Sequence, residues 1–159
     1  MNIDLTSSQY AQKAMNLFKE GFNCSQSVFL AFEDLYSIDQ FTALKLSSSF
    51  GGGMGRLREV CGSVSGMFLT AGILYGYDSP ADRTAKTEHY RRIQELAQSF
   101  EKLNGSIVCR ELLGLDQKKE SYVPEERTKD YYKKRPCVQI VGCAAYIMEE
   151  YINSHPLLP

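Results

Sequence analysis

The chain has 159 residues, enough to bury roughly two thirds of its unfolded surface, so it needs neither disulfides nor a structural metal to fold. Its 43% hydrophobic content, 23% charged content and net charge of -1 are ordinary for a globular protein and leave no polybasic footprint for nucleic acid or anionic lipid. The first residues, Met1-Asn-Ile-Asp-Leu-Thr-Ser-Ser, form neither a basic nor an apolar leader, and the longest nearly apolar run, Met67 to Tyr75, is too short to span a bilayer. A cytoplasmic protein with no membrane span and no nucleic-acid partner is expected.

Helical periodicity runs through almost the whole chain, and strand-like alternation is nearly absent. Tyr10, Ala14, Leu17 and Phe18 share the face of a first helix, opened by the capping-box pattern Thr6-x-x-Gln9 and closed near Gly21. Asn23 is placed to cap a second helix with Cys24, Val28, Phe32 and Leu35 inward, and Asp39 to cap a third running to about Ser49. A glycine-rich break, Gly51-Gly-Gly-Met-Gly55, follows. The fourth helix carries Cys61, Val64, Phe68, Ala71 and Tyr75 and stops at Gly76.

Ser79-Pro80-Ala81-Asp82 reads as the best-marked helix start, with a cap, a proline at the first helical position and a carboxylate completing the box. The long helix after it has the stripe Tyr90, Ile93, Leu96, Ala97, Phe100 and Leu103 and ends at Asn104-Gly105. Ser106 is expected to cap a short helix with Cys109, Leu112 and Leu113, ended by Gly114. Asp116 to Lys134 reads as a polar loop with one turn of helix after Pro124. A last helix from Pro136 buries Cys137, Val141, Ala144, Met148 and Tyr151. The expectation is an all-α, single-domain bundle of about six to seven helices, with residues 1–159 forming one helical cysteine-motif domain.

Five cysteines, an odd and scattered set, favour reduced thiols or metal ligands over a disulfide framework. Cys24, Cys61, Cys109 and Cys137 each fall in the first turn or so of a different predicted helix, on its apolar stripe. A helix N-terminus offers unpaired N–H groups and partial positive charge, so a thiol there is expected to ionise more easily, and the thiolate is both nucleophile and metal ligand. Arg56, Arg58, Arg110, Lys133, Lys134 and Arg135 flank these cysteines, as site charges or as solvated surface. Each cysteine taken alone reads as a small buried hydrophobe, and it is the set of four that points to a site. Cys143 lies mid-helix, about 120° around the axis from Cys137, and is assigned to packing.

The separations of 37, 48 and 28 residues match no local zinc or iron–sulfur signature, so a shared site must be assembled by the fold. The Gly51–Gly55 loop lacks a phosphate-loop ending and a dinucleotide fingerprint. It is either an interhelix turn or a place of close backbone approach, with N–H groups facing thiolate or sulfide. Gly62 and Gly66 are spaced for close helix approach; Gly52, Gly53 and Gly62 are the candidate cofactor-binding positions. His89 and His155, the two histidines, pair with no cysteine in sequence.

Four segments carry a family resemblance: Gly21-Phe-Asn-Cys24-Ser-Gln-Ser-Val, Phe50-Gly-Gly-Gly-Met-Gly with Cys61-Gly-Ser-Val-Ser-Gly66, Gly105-Ser-Ile-Val-Cys109-Arg-Glu-Leu-Leu-Gly114, and Pro136-Cys137. Over about residues 10 to 150 the chain resembles the C_GCAxxG_C_C family of redox-active proteins, with Ser63 where the family's CGAxxG motif has alanine. The resemblance implicates Cys24, Cys61, Cys109 and Cys137 and leaves Cys143 outside. That family is similar to the non-haem part of split-Soret cytochromes, where iron and sulfur accompany such cysteines, which raises an iron–sulfur reading above zinc.

The first functional expectation is therefore a small redox protein in which the four cysteines bind an iron–sulfur cluster and exchange electrons with a partner protein. Helix N–H groups would raise the cluster's potential. The second is dithiol–disulfide chemistry between two of the four without metal. The third is a non-enzymatic zinc-binding or scaffold domain. Whether the chain is an enzyme, who its redox partner is, and whether it forms a homodimer all stay open at the level of sequence.

Overall fold

A computed structural model describes residues 2–116 and 119–159. Gln117 and Lys118, within the expected polar loop, lie outside the described residues. The architecture is all-α: α1 (Gln9–Lys19), α2 (Cys24–Ala31), α3 (Gln40–Ser48), a one-turn element α4 (Gly51–Met54), α5 (Gly62–Tyr75), α6 (Arg83–Asn104), α7 (Cys109–Leu112), α8 (Lys129–Lys134) and α9 (Cys137–Ser154). Short 3-10 turns at Leu5–Ser7 and Glu33–Leu35 complete it. The expected helices are present, α8 supplies the turn of helix expected after Pro124, and the short α4 adds to them.

The core is a stack of five helices. Ala14 and Phe18 of α1, Val28 and Ala31 of α2, Val64, Met67 and Ala71 of α5, Leu96 and Phe100 of α6, and Val141, Ala144 and Met148 of α9 join in one buried cluster. Truncating a fully buried aromatic such as Phe100 to alanine costs about 3–5 kcal/mol at such a site. The α2–α5 crossing is close because Gly66 has no side chain: a Cβ there would stand 2.6 Å from the Ser25 carbonyl. This crossing brings the first turns of both helices, with Cys24 and Cys61, to the same end of the bundle.

Two helix starts differ from expectation. The side chain of Ser8, not Thr6, accepts the Ala11 N–H and caps α1, while Asp4 caps the preceding 3-10 turn. The long helix α6 begins at Arg83, after a turn in which the Asp82 N–H donates to the Ser79 carbonyl. Asp82 is the cap itself, accepting from the Ala85 N–H, so the proline precedes the helix instead of opening it. Tyr90 belongs to a part of α6 that overshoots the core, and it is exposed, whereas Leu96 and Phe100 on the same helix are buried.

Candidate functional site

Four different local devices deliver the four cysteines. Asn23 and Gln26 form a full capping box: the Asn23 side chain accepts the Gln26 N–H at 2.9 Å, and the Gln26 side chain accepts the Asn23 N–H at 3.1 Å. Cys24 is thereby fixed as the first residue of α2. Cys61 occupies the N-cap position of α5. Cys109 and Cys137 are the first residues of α7 and α9. The sequence expectation that each cysteine stands at a helix start holds in all four cases.

Backbone bonds then set Cys61 and Cys109 side by side. The Cys61 N–H donates to the Ile107 carbonyl at 2.8 Å, and the Cys109 N–H donates to the Glu59 carbonyl at 2.6 Å, around an isolated antiparallel bridge between Val60 and Val108. The glycine segment closes the remaining side. Gly53 sits at φ 68°, and a Cβ on it would lie 2.5 Å from the Cys109 Cβ and 3.1 Å from its sulfur. A Cβ on Gly62 would meet the Phe50 carbonyl at 2.8 Å and the Cys24 Cβ at 3.0 Å. Both positions admit only glycine if the cysteines are to stay where they are.

All four cysteines line one cavity of about 270 Å³, together with Gly52, Gly53 and Gly62. Cys61 and Cys109 are buried, while Cys24 and Cys137 are half-buried. The fifth thiol stands apart: Cys143 is fully buried in α9, accepts from the Asn104 side chain at 3.4 Å, and does not line the cavity. Among the described residues, no group of three or more His, Cys, Asp or Glu side chains is disposed to hold a single metal ion.

The electrostatics depart from the sequence expectation. Helix N-termini were expected to ionise these thiols, yet the Cys24 thiol is pushed well up by its hydrogen bond with Cys137 and by burial. Burial pushes Cys61 up to about 12, with the neighbouring Cys24 adding to it. Cys109 is also raised by burial, against the opposing pull of Arg58. Desolvation and sulfur–sulfur repulsion therefore outweigh the favourable N–H groups, of which Gly52 serves Cys24 and Ser63 serves Cys61. Without a metal, Cys24, Cys61 and Cys109 are thus held as neutral thiols.

A strap over residues 119–128, within the stretch the sequence reads as a polar loop, adds Tyr122, Pro124, Glu125 and Arg127 to the wall. The Glu120 carboxylate pairs with Arg56 at 3.0 Å and Arg58 at 2.9 Å, and Glu125 pairs with Arg135 at 2.5 Å. Arg127 has no carboxylate partner among the described residues; it donates to the carbonyls of Phe18 and Phe22 near the end of α1 and lies 4.1 Å over the Phe18 ring. Arg56, Arg58, Arg127 and Arg135 all line the cavity, so four guanidinium groups face two carboxylates and the wall is cationic. Arg56 and Arg58 adopt left-handed backbone, at φ 69° and 60°, at a cost of about 1–3 kcal/mol each that the surrounding bonds must offset. Arg110 turns away to pair with Glu59, and neither Lys133 nor Lys134 lines the cavity.

Arg127, Glu120 and Glu125 carried no sequence signal, because a strap without periodicity gives no face to read. His89 and His155 lie elsewhere: His89 contacts Arg92, and His155 stacks on Tyr151. No helix among the described residues is long and apolar enough to cross a membrane.

Comparison with curated proteins and with solved structures returns no match. The family description "Putative redox-active protein (C_GCAxxG_C_C)" matches residues 22–151, which takes in all four cavity cysteines and the glycine segment. The chain that gathers these four thiols from four helix starts thus belongs to the C_GCAxxG_C_C family.

Proposed function

We propose that the chain acts as one helical cysteine-motif domain of redox function, in which Cys24, Cys61, Cys109 and Cys137 ligate an iron–sulfur cluster. The observation that carries this reading is that four cysteines, and not the fifth, line a single cavity whose wall is cationic. The residues fit the group. Four sulfur donors are the usual ligand set of such clusters, and the bare backbone of Gly53 and Gly62 lets Cys109 and Cys24 stand at the cavity where a Cβ would push them away. Once thiolate-ligated the cluster is anionic, and four arginines against two carboxylates oppose that charge. An iron–sulfur cluster would supply electron storage and release.

The chain's own groups would do the rest. The Gly52 and Ser63 N–H groups donate to sulfur and favour added negative charge there. The strap covers one side of the cavity with Tyr122, Pro124, Glu125 and Arg127. Because Cys24, Cys61 and Cys109 are raised, loading must displace protons from them. Five free thiols suit a reducing, cytoplasmic compartment.

A second reading has one observation in its favour: Cys24 and Cys137 line the same cavity, and the proximity of Cys137 raises the Cys24 thiol. Their oxidation to a disulfide would release two electrons and two protons to an acceptor. Anaerobic purification followed by a visible spectrum and iron, sulfide and zinc assays separates the readings. Broad visible absorption with iron and sulfide, lost in Cys61→Ala, is the expected result. Colourless, iron-free protein that forms a Cys24–Cys137 disulfide on oxidation would establish the second reading instead.

A further inference from the structure

Arg58 is held more tightly than a surface arginine has any reason to be. It is only 5% exposed, in left-handed backbone, and its guanidinium is divided between two partners. Nε donates to Glu120 at 2.9 Å, and Nη1 donates to the Cys109 sulfur at 3.5 Å. Its carbonyl accepts from the Arg110 backbone N–H and from the Arg110 side chain, each at 3.2 Å. Bonds on both sides thus hold a conformation that non-glycine residues seldom adopt. Among the described residues, a guanidinium hydrogen bond reaches Cys109 and none of the other cysteine sulfurs.

A charge-assisted N–H donor on a sulfur stabilises negative charge at that sulfur more than a neutral donor does. Glu120 takes part of the same guanidinium's charge, and it also engages Arg56. We propose that Arg58 is a positioning residue that makes Cys109 the most strongly charge-compensated of the four sulfurs, with Glu120 setting how much of that charge the sulfur feels. The inference rests on the cluster reading above, and it concerns residues outside the cysteine motif itself.

The two partners act in opposite directions on the midpoint potential. Arg58→Gln removes a positive charge beside the sulfur, so the more negative, reduced form is less stabilised and the potential shifts downward. Glu120→Gln removes the tempering carboxylate and shifts it upward. Arg58→Lys keeps the charge without the fork and falls between wild type and Arg58→Gln. The measurement is a redox titration of the anaerobically purified full chain, followed by visible absorption, with far-ultraviolet circular dichroism to check the helices.

Shifts of opposite sign, with Arg58→Lys in between, are the expected result; a residue that merely props up the fold would not produce them. Variants that retain iron and sulfide yet leave the potential unchanged, or move it in one common direction, overturn the role of Arg58 and leave the cluster reading standing. Wild-type protein without iron and sulfide overturns the cluster reading and this inference with it. Should Arg58→Gln fail to fold, Glu120→Gln decides alone: an upward shift supports the proposal, and an unchanged potential overturns it.

Discussion

Gly53 and Gly105 both sit in left-handed backbone, at φ 68° and 90°, yet they differ in what surrounds them. A Cβ on Gly105 meets nothing within 4 Å, whereas one on Gly53 would collide with Cys109. Gly105→Ala should therefore cost about 1–2 kcal/mol for the backbone alone and leave iron binding intact. Gly53→Ala adds a steric penalty, for a total of about 2–4 kcal/mol, and should abolish iron retention because it displaces Cys109. Thermal melts paired with iron assays check both; iron retained by Gly53→Ala would show that the glycine does not shape the cavity.

The thiols carry a pH signature of their own. Cys61 holds its proton in the folded state up to about 12, against an ordinary value of 9.0. Between those values the folded chain binds more protons than the unfolded chain. Its contribution to stability is complete below pH 9 and is lost as pH rises toward 12, at most about tenfold in the folding equilibrium per pH unit for one group. Cys24 and Cys109 shift the same way, so Cys61→Ala should reduce this slope in the metal-free protein without removing it. Urea melts across the alkaline range read the effect, and an identical slope in the variant would contradict it.

At the level of elements, the caps separate stability from function. Asn23→Ala and Asp82→Ala each delete an N-cap side chain, and each should cost about 0.5–2 kcal/mol. Only Asn23 also lines the cysteine cavity, with its amide donating to the Ser48 carbonyl at 3.0 Å. Comparable losses in melting temperature should thus accompany unequal losses of iron, greater for Asn23→Ala. Equal iron retention would mean that the α2 start does not position Cys24.

The same elements show what a sequence can and cannot announce. Asn23, Asp39 and Gly105 were legible as boundaries because capping is local chemistry, decided within a few residues. Local chemistry also misled where two caps competed, as with Ser79 and Asp82. The four cysteines were legible as a set because each begins a helix. Their protonation was not, because burial and sulfur–sulfur proximity arise only when α2, α5, α7 and α9 meet. The strap was the least legible part, since Glu120 reaches Arg56 and Arg58 across more than sixty residues of chain.

On the scale of the whole molecule, the α2–α5 crossing, the Val60–Val108 bridge and the start of α9 converge at one end of the bundle, and the strap closes over them. The opposite arrangement holds for Cys143, which packs within the core beside Asn104. Four thiols thus form one unit, and the fifth belongs to the core. Iodoacetamide footprinting by mass spectrometry, on anaerobic protein before and after iron removal with a chelator, tests this division directly. The half-buried Cys24 and Cys137 should be protected in the iron-loaded protein and gain reactivity when iron is removed, with the buried Cys61 and Cys109 slower than both, while Cys143 stays unreactive in both states until the chain is unfolded. Cys24 or Cys137 reacting at the same rate in both states, or a Cys143 whose reactivity follows the iron, would contradict this division.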